Sequence, residues 1–194
     1  MIKAVIFDFF GVLVTEGFKQ FRENHFAQDK QKEQQALDLI NRVDSGSMKT
    51  HEFAAQLADL AGISTDEVRQ ELGNNKPNKA LINFISEQLK GQYKLGILSN
   101  SSENYPAQLL EHEDLELFDD ILLSYKQGVI KPQPEIYILA AERLGVEPSE
   151  VVFTDDSPGH CDGAKKTGMK SILYVSFPEF SKQLEDLLSA GSNN

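Results

Sequence analysis

Five short apolar runs rich in β-favouring residues recur at residues 3–8, 93–98, 120–124, 150–154 and 171–175, and most are apolar without alternation. A strand with one wet face alternates, whereas a continuous apolar run suits a strand covered on both faces, as in parallel sheets. The covering elements follow from the spacing between runs. Helical patterns occupy Pro106–Glu113, Pro134–Leu144 before Gly145, and Cys161–Thr167 before Gly168, with the two glycines as helix stops. Strands alternating with helices in this way predict an α/β fold built on a doubly wound parallel sheet.

The alternation fails between about residues 15 and 90, where helical spacing through Leu37, Ile40, Val43 and then Phe53, Leu57, Leu60 replaces any strand pattern. We therefore expect residues 1–14 and 91–194 to form the α/β core and residues 15–90 a small all-helical insertion. Asp44-Ser-Gly-Ser breaks the insertion once, Thr50 is placed to cap the helix holding Phe53, and Ser64-Thr-Asp-Glu starts another helix. The turn-rich tract Gly73–Asn78 precedes a helix that returns to the sheet, Gln28–Gln35 reads as a solvated helix face, and the Ser-Asn C-terminus should fray. A chain of 194 residues, 40% hydrophobic, supports one substantial core and a smaller appendage but no second independent core.

Charge narrows the partners. A formal net charge of -11 without any Lys/Arg-rich run disfavours nucleic acid and anionic membrane surfaces. It also requires any anion pocket to be locally positive, through Lys, a metal or helix N-termini. Cys161 is the single cysteine, so no intrachain disulfide forms, and it is expected to be a structural thiol. Met1 runs straight into an apolar strand with no basic leader, and nothing approaches the roughly 20 apolar residues of a membrane span, so a cytoplasmic location is expected.

Ligands of open parallel sheets sit beyond the carboxyl ends of the strands, so the polar residues ending the apolar runs are the candidates. These are Asp8 after the first run, Ser99 and Asn100 after the second, Asp155 and Asp156 after the fourth, and Lys131 in the loop after the third. If the first and fourth strands are neighbours, Asp8 faces the aspartate pair, and each pair of charges ~4 Å apart costs about 4 kcal/mol at an effective dielectric of ~20. A hard divalent ion such as Mg²⁺ suits this all-oxygen set, while Lys131, Ser99 and Asn100 supply the charge and donors that three phosphoryl oxygens need. The constellation resembles a phosphoryl-transfer site.

Ile6-Phe-Asp-Phe-Phe-Gly-Val-Leu, Leu98-Ser-Asn, Gly128-Val-Ile-Lys-Pro-Gln-Pro and Val152-Phe-Thr-Asp-Asp resemble, in order, the four motifs of the haloacid dehalogenase superfamily, and the helical insertion resembles its small cap. The resemblance implies a Mg²⁺-dependent phosphatase of small phosphomonoesters, sugar phosphates among them. It makes Asp8 the nucleophile that forms an aspartyl-phosphate, and gives Ser99, Asn100 and Lys131 the transferring phosphoryl group. By the same resemblance Asp8, the carbonyl of Phe10 and Asp156 bind the metal, with Asp155 acting mainly through a metal-bound water.

Two positions depart from the pattern. Phosphatases of this superfamily usually carry a second Asp two residues after the nucleophile, as general acid, and here that residue is Phe10. A branch with Asp-Phe-Gly-Gly-Val-Leu also lacks it. Glu16 and His25 are replacements by position only. His160 stands where the family places Asn, either as a substitute hydrogen-bond donor or as a helix cap. Two rival readings follow from Phe10: a non-catalytic phosphate- and metal-binding regulatory module, or a 2-haloacid dehalogenase, whose motif resembles this one in its aromatic residue at that position.

Overall fold

The computed structural model describes residues 1–190. Five strands, β1 (Ala4–Phe7), β2 (Lys94–Ser99), β3 (Asp120–Leu123), β4 (Val151–Asp155) and β5 (Lys170–Leu173), form one sheet in the order β3-β2-β1-β4-β5. Every pairing is parallel. The helices are α1 (Gly17–Phe26), α2 (Lys30–Asp44), α3 (Thr50–Ala61), α4 (Thr65–Leu72), α5 (Lys79–Phe84), α6 (Pro106–Leu109), α7 (His112–Leu115), α8 (Pro134–Leu144), α9 (Pro158–Lys166) and α10 (Phe177–Ala190). None of the described helices is long and apolar enough to cross a membrane. The Ser-Asn tail expected to fray lies outside the described residues.

The continuous apolar strands are covered on both sides, as their sequence requires. Val5 and Phe7 point to one face, where they meet Leu81 and Ile85 from the α5 region and Phe180 and Leu184 from α10. Ala4 and Ile6 point to the other, against Ile136, Tyr137 and Ala140 of α8 and Ala164 of α9. Each large side chain so buried contributes ~1.5–3 kcal/mol, enough to hold α10 to the sheet through its apolar stripe.

The insertion carries a small hydrophobic cluster of its own, where no second independent core was expected. Phe21, Phe26, Val43, Phe53, Leu57 and Val68 of α1–α4 bury one another apart from the sheet, because each helix offers one apolar stripe and the nearest surface to cover it is another helix. The returning α5 and its wider last turn, Ile85–Leu89, pack instead with the sheet. The Gln28–Gln35 face is exposed apart from Glu33, which pairs with Arg22 at 3.1 Å.

Local chemistry sets the helix ends. Asp29 caps α2 by accepting from the Lys32 N–H at 3.0 Å, and Ser64 and Glu67 cap α4 reciprocally. Thr50, expected as a cap, is already the first residue of α3; the Glu52 carboxylate accepts from the Lys49 N–H before it at 3.3 Å. The helix expected over Pro106–Glu113 splits in two, because Leu110 turns extended and seats its side chain in the core. The helix after β4 starts earlier than its apolar spacing indicates, with Pro158 at the first helical position, where its missing N–H has no cost.

Candidate active site

β1 and β4 are neighbours with Phe7 opposite Thr154, and the Asp8 N–H donates to the Thr154 carbonyl at 2.8 Å, so Asp8 and Asp155 leave the sheet side by side. Both carboxylates are buried, at 6% and 0% exposure, and a single ammonium joins them. Lys131 Nζ lies 2.7 Å from Asp8 Oδ1 and 2.6 Å from Asp155 Oδ2. Lys131 itself is buried, and these two carboxylates outweigh burial and hold its pKa above the usual lysine value.

The pair is asymmetric. Asp155 also receives the Ser157 N–H at 2.9 Å and His160 Nδ1 at 3.0 and 3.1 Å. Burial alone would raise its pKa, but Lys131 and His160 together hold it well below the carboxylate range. Asp8 has less support. Burial and then the Asp155 charge push its pKa up, against the pull of Lys131. His160 therefore takes the hydrogen-bonding part rather than a capping one, and Tyr137 fixes it by donating its hydroxyl to the His160 carbonyl at 2.8 Å.

Asp8, Phe10, Asn100, Lys131, Asp156 and His160 line a cavity of ≈ 890 Å³, closed on its far side by residues of α1–α4. Two residues expected at the site lie just beneath that surface. Ser99 is fully buried with its hydroxyl bonded to the Asn100 carbonyl at 3.3 Å, and Asp155 has its oxygens turned to Lys131, His160 and Ser157. Asn100 grips the Lys131 main chain: its Oδ1 accepts from the Lys131 N–H at 2.8 Å and its Nδ2 donates to the Lys131 carbonyl at 3.0 Å. Phe10 turns its ring edge to Tyr105, centroids 5.4 Å apart. Of the acids suggested in its place, Glu16 lines the cavity, whereas His25 pairs with Glu71 at 3.0 Å. Cys161 is a buried thiol, its pKa raised by burial, with Sγ 3.5 Å from the Asp155 carbonyl.

The donor set fits a hard cation. Ligand atoms of Asp8, Asp155 and His160 lie within 4.8 Å of one another, but Lys131 already bonds two of these groups and the Asp155 carboxylate is committed to three donors, Lys131, Ser157 and His160. That leaves Asp8 and Asp156 as the strand-end carboxylates facing the cavity. Asp156 lies against the turn after β1, close enough that a Cβ at Gly11, where φ is +84°, would fall 2.6 Å from its carboxyl carbon. Only glycine suits that position. Gly11→Ala is expected to lower stability by about 1–3 kcal/mol through left-handed strain and the displaced carboxylate, read from urea unfolding; an unchanged midpoint would contradict the close approach.

Asp44, at the end of α2, also reaches the cavity, as do Lys19, 3.5 Å from Asp156, and Tyr105. The sequence offered Asp44 only as part of a helix break. The one available signal was an acid ending an amphipathic helix.

Comparison with known proteins agrees with this geometry. A model of the haloacid dehalogenase-like hydrolases matches residues 2–168. The chain is 25% identical to D-ribitol-5-phosphate phosphatase of Bacteroides thetaiotaomicron, over 98% of this chain and 100% of that one. It is also 25% identical to a phosphorylated carbohydrates phosphatase of Thermotoga maritima, over 90% and 85% of the two chains. In three dimensions it resembles a haloacid dehalogenase family enzyme of Bacteroides thetaiotaomicron, crystallised with magnesium and inorganic phosphate, with a TM-score of 0.70 at 22% identity over 91% of this chain and 96% of that one. Ordered motifs, parallel topology and a family match across most of its length agree that this chain belongs to the haloacid dehalogenase-like hydrolases.

Proposed function

We propose that the chain is a Mg²⁺-dependent phosphatase acting on a small phosphomonoester, with a phosphorylated sugar or polyol as the substrate class and Asp8 as the nucleophile. The observation that carries this reading is the buried Lys131 ammonium bridging Asp8 and Asp155 on the floor of a cavity. An anion entering there meets a fixed positive charge in a chain that is otherwise strongly acidic. The two phosphatases named above act on phosphorylated carbohydrate-like compounds by their own names, which supports the substrate class.

In this reading Asp8 attacks phosphorus and carries the phosphoryl group until water hydrolyses the aspartyl-phosphate. Lys131 neutralises the phosphoryl oxygens, and Asp155, held ionised by His160 and the Ser157 N–H, orients Lys131 rather than touching the substrate. The Asn100 loop completes the phosphoryl cradle from β2, with Ser99 supporting it from beneath. Asp8, Asp156 and the Phe10 carbonyl would hold Mg²⁺, which when bound offsets the charge shared by carboxylates and phosphate. The helices Gly17–Leu72 act as the cap, which narrows the 15–90 division to the part that packs apart from the sheet.

A panel of aryl, sugar and polyol phosphates assayed with Mg²⁺ and with EDTA tests the reading. Turnover of several esters is expected with Mg²⁺ and its loss in EDTA. Phosphate-analogue binding with no turnover of any ester would instead make the chain a binding module, and chloride release from 2-chloropropionate would make it a dehalogenase.

A further inference from the structure

We propose that Asp44 is the proton donor to the leaving group, delivered by the helical insertion in place of the acid that Phe10 replaces. The assignment rests on the phosphatase reading above. Asp44 lines the same cavity as Asp8, Phe10 and Lys131 and is 9% exposed. No hydrogen-bond donor of the described residues reaches its carboxylate, although its main chain is held firmly. Its carbonyl accepts from the Ser124 hydroxyl at 2.6 Å, and the Ser124 Oγ in turn accepts from the Ser101 N–H at 2.9 Å. Two residues on, Gly46 adopts φ +77° where a Cβ would lie 3.3 Å from the Tyr125 carbonyl, so the turn after α2 sits directly on the loop after β3. A carboxyl on the cavity wall with no side-chain partner, on a residue whose main chain is anchored at the sheet edge, is free to meet a ligand there.

Its surroundings suit a donor. Burial pushes the Asp44 pKa up to about 7; among charges, Lys131 opposes the rise and Glu16 adds to it. The other charged or titratable groups on the cavity wall are Lys19 and Arg22 from α1, His51 from α3, Arg69 from α4, Glu103, and Asp156 with His160. Tyr105, whose ring meets Phe10, lines the same cavity as Asp44. Glu16 is raised to about 7 as well, by burial first, but its strongest charged neighbour is Asp156, at the metal edge of the site. Lys131, at the phosphoryl end, is the strongest for Asp44.

In the first half-reaction Asp8 Oδ bonds to phosphorus as the bond to the ester oxygen breaks, and that oxygen takes the Asp44 proton and leaves as the alcohol. In the second, water bonds to phosphorus as the Asp8–phosphorus bond breaks. Asp44 takes the water's proton and is restored, with inorganic phosphate released.

The test compares wild type, Asp44→Asn and Asp44→Glu with Mg²⁺ on 2,4-dinitrophenyl phosphate, whose leaving group needs no proton, and on ribose 5-phosphate, glucose 6-phosphate and glycerol 3-phosphate, whose leaving groups do. Asp44→Asn should lower kcat on the alkyl esters by roughly 10²- to 10³-fold and on the dinitrophenyl ester by less than about tenfold, with partial recovery in Asp44→Glu. The wild-type alkyl rate should fall as pH rises through about 7, since the donor must be protonated, and that limb should vanish in Asp44→Asn. Melting of Asp44→Asn at about pH 8 should occur no lower than wild type, because the amide removes a buried charge. Equal losses on both ester types, or wild-type turnover of the dinitrophenyl ester alone, would overturn the assignment of Asp44. A wild type without Asp8-dependent turnover of dinitrophenyl phosphate would overturn the phosphatase reading itself.

Discussion

Asp8→Asn is expected to lower turnover of every phosphoester by roughly 10⁴- to 10⁶-fold while the protein stays folded. The amide cannot attack phosphorus. It does keep an oxygen for the two donors that Asp8 serves, Lys131 Nζ at 2.7 Å and the Phe9 N–H at 2.6 Å. It also removes the charge that burial and Asp155 make costly at this position. Activity and folding should therefore separate cleanly, with circular dichroism and the melting midpoint close to wild type and product formation near background. Wild-type rates in Asp8→Asn would remove the nucleophile; a loss of fold would mean that the carboxylate, not an acceptor of its shape, anchors Lys131.

Lys131→Met should cost both. Methionine nearly matches the lysine stem in volume, so packing against Phe153 changes little, but Asp8 and Asp155 are left buried and sharing no cation. Removing one partner of a buried ion pair costs about 3–5 kcal/mol, and turnover should fall with the lost charge at the phosphoryl group. The deficit has a defined pH dependence. Without Lys131 the folded-state pKa of Asp8 rises further above its unfolded value and Asp155 loses part of the depression that Lys131 gives it, so the variant's folded state binds more protons than that of wild type and the deficit grows as pH increases. Urea unfolding at about pH 4.5 and 8 checks this, and a deficit independent of pH would show that Lys131 stabilises by packing and not by charge.

The sequence made the sheet and its polar edge legible for one reason: β1, β2 and β4 are apolar on both faces, so the first charged or hydroxyl residue after each run had to stand at an end. That put Asp8, Ser99 and the Asp155/Asp156 pair at one edge, with Lys131 read from the loop after the third run, and of these Asp8, Lys131 and Asp156 line one cavity. It could not say which end residues face the cavity. Ser99 and Asp155 lie a layer deeper because the last residues of β2 and β4 still alternate with the pleat, and Asp155 turns toward Lys131 and His160. Asp44 was hidden for a different reason. Its carboxyl is brought over the sheet by a contact between Ser124 and the α2 carbonyl, 80 residues apart in the chain, which no helical period encodes. Likewise the small core of the insertion depends on how four amphipathic stripes face one another, whereas spacing reveals only that each stripe exists.

Asn100 holds the Lys131 loop by its main chain alone, through the N–H and the carbonyl of that residue. Whatever side chain occupied position 131 would thus be presented at the same place, so delivery and chemistry are encoded by different residues. Substitutions at 131 can retune the charge of the floor without rebuilding the loop, whereas a substitution at 100 would misplace even an unchanged lysine.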